Sequence, residues 1–302
     1  MERRTSSAIP TIRRACPAKV NLYLKILGRR PDGYHDLITV MQPLTLADEL
    51  TLAPDRNSLT LICDHPELPQ GEENLVFRAA RVFERETGLE LRVRLTLHKR
   101  IPVAAGLGGG SSDAAGCLLA LNTLAGGPLD MAALHRLGAS LGADVPFFLR
   151  PGPAVGRGIG TELAPLALPP YWYVLANPGF SLSTRWVYEN LDLKSLNVEE
   201  ELDLKKFSRD NPGAWVKNDL ESVTLKRHPE MLETLKELDR LGAQARGMSG
   251  SGPTLFGIFN GRASAQNAAL ELRKTFSGWI GVARGLTGSE TDTAWENDAW
   301  TL

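Results

Sequence analysis

Residues 102–115 read PVAAGLGGGSSDAA, and four of the five residues from Gly106 to Gly110 are glycine. Two serines, Ser111 and Ser112, follow at once. Glycine costs backbone entropy and forms helices poorly, so a run of it marks a place where backbone must approach something closely or adopt positive φ. The Ala- and Leu-rich stretch from Asp113 onward reads as a helix. The first four N–H groups of a helix have no partner within it, and the helix dipole adds partial positive charge there. Bare N–H groups at such a start make an anion site, most often for phosphate. A flexible loop is the plainer alternative, and the length of the run with its closing serines favours phosphate. A Walker A loop ends in Gly-Lys-Ser/Thr, yet no lysine lies between Ile101 and Leu193. A dinucleotide fingerprint needs a third glycine where Ser111 stands. The spacing therefore predicts a third kind of phosphate loop.

Four other segments carry residues able to do chemistry. In PAKVNLYLKILGRRPDGYHDL (17–37), Lys19 and Asn21 fall on one side of an alternating strand, and Pro31-Asp32-Gly33 predicts a turn that presents Tyr34 and His35. In GADVPFFL (142–149), Asp144 stands just past a helix end and before a strand-like apolar run. GRGIG (156–160) suggests a short hairpin. ARGMSGSGPTLFGIF (245–259) is a tight turn leading into a buried strand, or a second glycine-rich wall facing the first. Each has an ordinary reading when taken alone: the solvated face of an edge strand, a packed loop tip, a turn aspartate, a plain hairpin.

The elements that must position these residues alternate through the first half. Strands are expected at 19–27, 37–52, 59–64 and 91–98, and helices at 74–88, after the glycine loop, and from Asp130 to about Gly142. The Gly- and Pro-dense stretch 150–170 marks a boundary, giving domains 1–167 and 168–302. The second half reads as a strand (171–178), helices, a hairpin, a helix and a strand, close to the split β-α-β-β-α-β layout, with Pro229 breaking a long helix over 218–242. The tail from Gly288 is polar and expected to be mobile, with two tryptophans that could dock.

Composition narrows the function classes. The 302 residues are 43% hydrophobic and 23% charged, enough apolar material for two cores. A formal net charge of −1 leaves no electrostatic footprint for nucleic acid. The cysteines Cys16, Cys63 and Cys117 are scattered, so neither a disulfide framework nor a structural metal is expected, and a reducing cytoplasm suits them. The basic N-terminal stretch lacks the apolar core of a secretory signal, and no run has the length of a membrane span.

Together the motifs resemble one family. The PxxxGLGGGSSxAA loop is similar to the central motif of the GHMP small-molecule kinases, and GADVPFFL and GMSGSGPTLFG resemble two further motifs in the same order. Pro-Ala-Lys-x-Asn-Leu followed by Arg-x-Asp-Gly-Tyr-His narrows the resemblance to the branch acting on a cytidine diphosphate ester of methylerythritol. The resemblance covers about Ala15 to Leu286. It implies an α+β, two-domain fold, with an N-terminal domain like the second domain of ribosomal protein S5, a ferredoxin-like C-terminal domain, and the active site in the cleft between them. It implies ATP-dependent phosphorylation of the ester's tertiary 2-hydroxyl, in the non-mevalonate route to isoprenoids.

Carried over residue by residue, Asp144 is the catalytic base and Lys19 stands beside it. Pro102, Val103, Ala104, Ala105, Gly106, Leu107, Gly108, Gly109, Gly110, Ser111 and Ser112 wrap the ATP phosphates. Asn21, Tyr34, His35 and Tyr188 line the cytidyl pocket; His35 reads the cytosine edge, and Tyr34 and Tyr188 stack on its two faces. Mg²⁺ is expected on the β- and γ-phosphate oxygens, with its protein ligands unassigned. Asp113 either reaches that ion or only favours the helix dipole. The partners are then small molecules, with neither nucleic acid nor membrane, and the oligomeric state is open. Rival readings are another GHMP kinase, of homoserine or mevalonate type, and a catalytically silent nucleotide-binding regulator on the same fold.

Overall fold

Two long strands open the computed structural model, which describes residues 11–150, 152–196, 211–288 and 300–301. The basic N-terminus up to residue 10 and the tail over 289–299 lie outside the described residues, and with them one of the tail's tryptophans. Strands β1 (Ile12–Arg29) and β2 (His35–Pro54) are buried on both faces along most of their length, so each extends past the expected core of alternation. They are joined by the Pro31-Asp32-Gly33 turn. Gly33 takes φ +88°, and the Asp32 carboxylate accepts the Tyr34 N–H at 3.1 Å.

After these come β3 (Thr60–Cys63), α1 (Leu75–Thr87), β4 (Val93–His98), α2 (Gly109–Leu124), α3 (Met131–Leu141), α4 (Val145–Phe148), β5 (Ala154–Arg157), β6 (Glu162–Pro165) and β7 (Trp172–Asn177). The chain continues through α5 (Thr184–Glu189), β8 (Lys217–Asn218), α6 (Glu221–Arg227), α7 (Glu230–Arg240), β9 (Ala245–Met248), β10 (Leu255–Phe259), α8 (Arg262–Leu272), β11 (Trp279–Arg284) and β12 (Trp300–Thr301). These elements pack as two compact units built from separate chain segments. The first holds the stretch ending at Cys16, Asp48–Lys99 and Gly110–Leu149; the second holds Pro17–Ala47, Arg100–Gly109 and the chain from Arg150.

In the first unit, β4 pairs antiparallel with Glu49–Pro54 of β2 and parallel with β3. The helices share one core with these strands, including Leu50, Leu95, Phe83 and Leu118. Helix α1 has the ends its sequence predicts: Asn74 accepts the Val76 N–H at 2.9 Å, and Gly88 closes it at φ +69°. Asp130 likewise caps α3, accepting the Ala133 N–H at 2.7 Å. Helix α2 starts at Gly109, four residues earlier than Asp113, so both serines sit in its first turn. Its small residues let it lie deep: a Cβ on Gly116 would stand 2.5 Å from the Cys16 sulfur. The strand-like run after Asp144 is instead the single-turn helix α4. Pro146 suits a first helical turn, where no N–H is needed, and Val145 and Phe147 are buried.

In the second unit, β5 and β6 form the expected hairpin, and β5 pairs with Thr39–Met41 of β2. The long helix expected from 218 begins later. Asn218 belongs to β8, which pairs parallel with β1 opposite Leu24, and the Asp219 carboxylate accepts the Ile26 N–H at 2.9 Å. The helix breaks around Pro229 into α6 and α7, as proline requires. A five-stranded antiparallel sheet runs β12-β11-β7-β10-β9. The chain order β7-α-β9-β10-α8-β11 with sheet order β11-β7-β10-β9 is the split βαβ, ferredoxin-like arrangement. Helix α8 packs Ala265, Ala269 and Leu272 against Val174, Ala176 and Ile280 of this sheet.

Candidate active site

The glycine loop is a nest of N–H groups with its carbonyls tied down. Ala104, Gly106 and Gly108 have φ of +53°, +77° and +72°, alternating with residues of ordinary φ. Alternation of this kind turns successive N–H groups to one side and makes a concave anion site. On the other side, the Ala105 carbonyl accepts from the Thr254 N–H at 3.2 Å, and the Leu107 carbonyl from the Lys19 N–H at 2.9 Å. The Gly106 carbonyl accepts from the Lys19 ammonium at 3.0 Å and the Ser249 hydroxyl at 2.9 Å. Three successive carbonyls of the loop are thus committed to Thr254, Lys19 and Ser249. Pro102 is half-buried and Val103 exposed ahead of the nest, while Gly109, Gly110, Ser111 and Ser112 form the first turn of α2. The Ser112 hydroxyl is buried and has no hydrogen-bond partner among the described residues. An orphan hydroxyl at this position fits a ligand oxygen.

Lys19 and Asn21 are not a solvated strand face. They are 3% and 4% exposed, because the turn between β9 and β10 covers them. The Lys19 ammonium donates to the Asn21 side-chain oxygen at 2.5 Å, and the Asn21 amide nitrogen donates to the Thr39 hydroxyl at 2.8 Å. Asn21 is thus a holder of Lys19, with one amide hydrogen left for anything else. Ser249 completes the group: its hydroxyl accepts the Asn21 N–H at 3.2 Å while donating to Gly106. The turn Met248–Gly252 is the second glycine-rich wall facing the first. A Cβ on Gly106 would come 2.3 Å from the Ser249 carbonyl oxygen, and one on Gly250 would come 3.4 Å from the Lys19 nitrogen.

Of the three aromatic rings expected in the cytidyl pocket, two meet. The His35 and Tyr188 rings lie 5.3 Å apart, tilted by 34°. Tyr188 is carried by α5, whose start is capped by Ser183 accepting the Trp186 N–H at 3.3 Å. Tyr34 is 61% exposed, a large aromatic surface facing water. Burial lowers the His35 pKa below its ordinary value of 6.5, and the positive charge of Arg29 lowers it further. The imidazole is therefore neutral at pH 7, with one nitrogen that donates and one that accepts. Asp144 lies in the first unit, half-buried at the head of α4, where its side chain does not cap the helix.

Sequence reasoning left a buried ionic cluster in the first unit unread. Lys99, Asp48 and Asp113 are at most about one-twentieth exposed. The Lys99 ammonium donates to Asp113 at 2.7 Å and to Asp48. Asp113 therefore serves this cluster from the first turns of α2. Burial, then the Asp48 charge, holds the Asp113 carboxyl well above the usual carboxylate range. Burial alone would lower the Lys99 pKa, but Asp113 and Asp48 outweigh it and raise it. Lys99→Met leaves the Asp48–Asp113 carboxyl pair buried without its counter-charge. That should cost about 3–5 kcal/mol in urea unfolding, and a loss below about 1 kcal/mol would contradict the pairing.

Comparisons with known proteins agree with this geometry. The GHMP kinases N terminal domain model matches residues 74–152, and the GHMP kinases C terminal model matches residues 198–278. The 4-diphosphocytidyl-2-C-methyl-D-erythritol kinase of Syntrophus aciditrophicus is 49% identical over 260 residues, 85% of this chain and 93% of that one. The chain belongs to the 4-diphosphocytidyl-2-C-methyl-D-erythritol kinase family, among the GHMP kinases. A second member of this kinase family, from Syntrophotalea carbinolica, is 45% identical over 88% of this chain and 96% of its own. A crystal structure of 4-(cytidine 5'-diphospho)-2C-methyl-D-erythritol kinase matches with a TM-score of 0.79 at 39% identity, over 91% of this chain and 99% of that one. Homoserine kinase from Cytophaga hutchinsonii, 16% identical with a TM-score of 0.70, shares the fold. As a GHMP kinase, the protein is an ATP-dependent small-molecule kinase. No helix among the described residues is long and apolar enough to cross a membrane.

Proposed function

We propose that this kinase transfers the γ-phosphoryl group of ATP to the 2-hydroxyl of 4-diphosphocytidyl-2-C-methyl-D-erythritol, as a cytoplasmic enzyme of isoprenoid synthesis. The observation that carries the reading is the buried Lys19 ammonium fixed against the carbonyl of the nest, at 3.0 Å from the Gly106 oxygen. A cation held dry beside a row of outward N–H groups suits a reaction in which negative charge moves between oxygens. The nest at Ala104–Gly108 and the first turn of α2 hold the phosphates, with the Ser112 hydroxyl as a further donor. Phosphoryl transfer passes through a loose transition state in which the nucleophile keeps its proton until late. Asp144 orients the hydroxyl and receives the proton as the new O–P bond forms. Lys19 offsets charge on the transferring group.

Mg²⁺ neutralises charge on the β- and γ-phosphate oxygens when bound. Among the described residues no group of three His, Cys, Asp or Glu side chains could hold a metal ion alone. The Ser111 and Ser112 hydroxyls, in the first turn of α2, are the protein oxygens that would hold such an ion beside the nucleotide. A domain division at 167/168 has the support of the five-stranded sheet, all of whose strands follow Tyr171, whereas the second compact unit also takes in Pro17–Ala47 and Arg100–Gly109.

The cytosine is recognised by Tyr34, His35 and Tyr188. Tyr34 gains a partner for its exposed ring, and neutral His35 reads the base edge. His35→Ala should raise KM for the cytidyl ester about 10- to 100-fold while leaving KM for ATP within twofold, since a buried polar group left unpaired costs about 1–3 kcal/mol. In the wild type, KM for the ester should stay flat above pH 7 and rise only as the pH falls below the ordinary histidine range, where His35 takes up a proton. Steady-state kinetics over pH 5–8 check both, and an unaltered KM in His35→Ala removes His35 from the site.

A further inference from the structure

The Lys19 ammonium is held by the Asn21 side-chain oxygen and the Gly106 carbonyl, and the turn that covers it is in turn held by Asn218. The Asn218 amide nitrogen spends both hydrogens on the turn between β9 and β10, donating to the Met248 carbonyl and the Gly250 carbonyl, each at 2.7 Å. Its side-chain oxygen accepts the Leu220 N–H at 3.0 Å. Asn218 is itself pinned to β1, the strand that carries Lys19. It pairs with Leu24, and the next residue, Asp219, donates its N–H to the Leu24 carbonyl at 2.9 Å and accepts the Ile26 N–H. The Glu221 carboxylate adds a bond from the Met248 N–H at 2.9 Å.

Everything this bracket holds lies against Lys19. The turn puts the Ser249 hydroxyl on the Gly106 carbonyl and the Asn21 N–H. It also brings Gly250 so near that an added Cβ would lie 3.1 Å from the Asn21 side-chain oxygen and 3.4 Å from the Lys19 nitrogen. Gly250 has φ +56° and Gly252 +79°, and beside the bonds from Asn218 the turn is tied by the Ser249 hydroxyl and by the Ser251–Thr184 hydroxyl pair at 2.9 Å. We infer that Asn218 is a positioning residue of this kinase: it sets the 248–252 turn against β1 and so fixes the Lys19 ammonium at the phosphate nest. This rests on the role proposed for Lys19.

Asn218→Asp tests it with almost no change of shape. A carboxylate oxygen then faces two carbonyl oxygens where an NH₂ group donated, while the bond from Leu220 survives. The turn must move off, and displacement of a reacting group by about 1 Å costs on the order of 10²-fold in rate. The expected result is kcat lowered about 100-fold, KM for ATP and for the cytidyl ester within threefold of wild type, and an unchanged far-ultraviolet spectrum. Asn218→Ala, which removes the donors without adding repulsion, should fall between the two.

The deciding comparison is a double-mutant cycle with Lys19→Met. If Asn218 acts through Lys19, adding Asn218→Asp to Lys19→Met costs less than threefold more. Full additivity overturns the inference, as does a loss of kcat that only matches a loss of folded protein in Asn218→Asp and Asn218→Ala alike. The failure of Lys19 itself is read separately: wild-type turnover by Lys19→Met alone removes the role proposed for that residue, whereas its loss of turnover alongside a fully active Asn218→Asp removes the positioning role only.

Discussion

Lys19→Met should lower kcat by about 10²–10³-fold, the range found when a preorganised charge is removed from a transition state. Methionine keeps most of the volume of the lysine stem but has no charge and no donor. Lys19 is almost fully buried, so water cannot replace the ammonium between the Asn21 side-chain oxygen and the Gly106 carbonyl. The Gly106 carbonyl keeps the Ser249 hydroxyl, and the Ala105 and Leu107 carbonyls keep their backbone partners, so the nest survives. KM for ATP should therefore change far less than kcat. Lys19→Arg should rescue little, because a planar fork cannot reproduce a point donor shared by two oxygens in a closed space. Initial rates at saturating and limiting ATP separate the two parameters. A variant with wild-type kcat would remove the charge from the mechanism.

Gly106→Ala should cost both stability and ATP affinity. The residue takes φ +77°, a region costing a non-glycine residue roughly 1–2 kcal/mol. The added carbon would also stand 2.3 Å from the Ser249 carbonyl oxygen and 3.0 Å from that of Gly252, both backbone atoms that cannot swing aside. Either the loop or the facing turn must shift, and both carry bonds that hold Lys19. The expected loss is about 3 kcal/mol or more of stability, with KM for ATP raised at least tenfold. Gly126→Ala is the matched control. Gly126 has φ +82° but nothing within 4 Å of the added carbon, so it should lose only about 1 kcal/mol and keep KM unchanged. Equal losses in the two variants would show that backbone conformation alone, and not the close approach to Ser249, accounts for the effect.

What the sequence made legible was local. Asn74 and Gly88 announce the ends of α1, Asp130 the start of α3, and Pro31-Asp32-Gly33 the turn before His35, because caps and turns are set by residues a few positions apart. The order of elements in the second half was enough for the ferredoxin-like sheet. Where neighbours compete, the reading slipped. VPFF is apolar enough for a buried strand, but it has no pairing partner, and proline suits a first helical turn. Asn218 looked like a helix start and is a strand residue whose side chain is spent on a turn about thirty positions away. The same limit hid the Lys99 cluster, since its carboxylates come from β2 and α2. It also concealed Asn21 as the partner of Lys19: spacing put the two on one strand face, and only the turn at Ser249 buries that face.

The central claim is that this protein phosphorylates the cytidyl ester by means of Asp144 and Lys19. A coupled ADP-release assay with Mg-ATP and 4-diphosphocytidyl-2-C-methyl-D-erythritol, run on wild type and on folded Asp144→Ala, tests it most directly. The account predicts turnover by wild type and a loss of about 10²–10⁴-fold in Asp144→Ala, the usual contribution of a positioned base. Wild-type protein that binds ATP but releases no ADP with this acceptor, or Asp144→Ala that turns over at the wild-type rate, would contradict it.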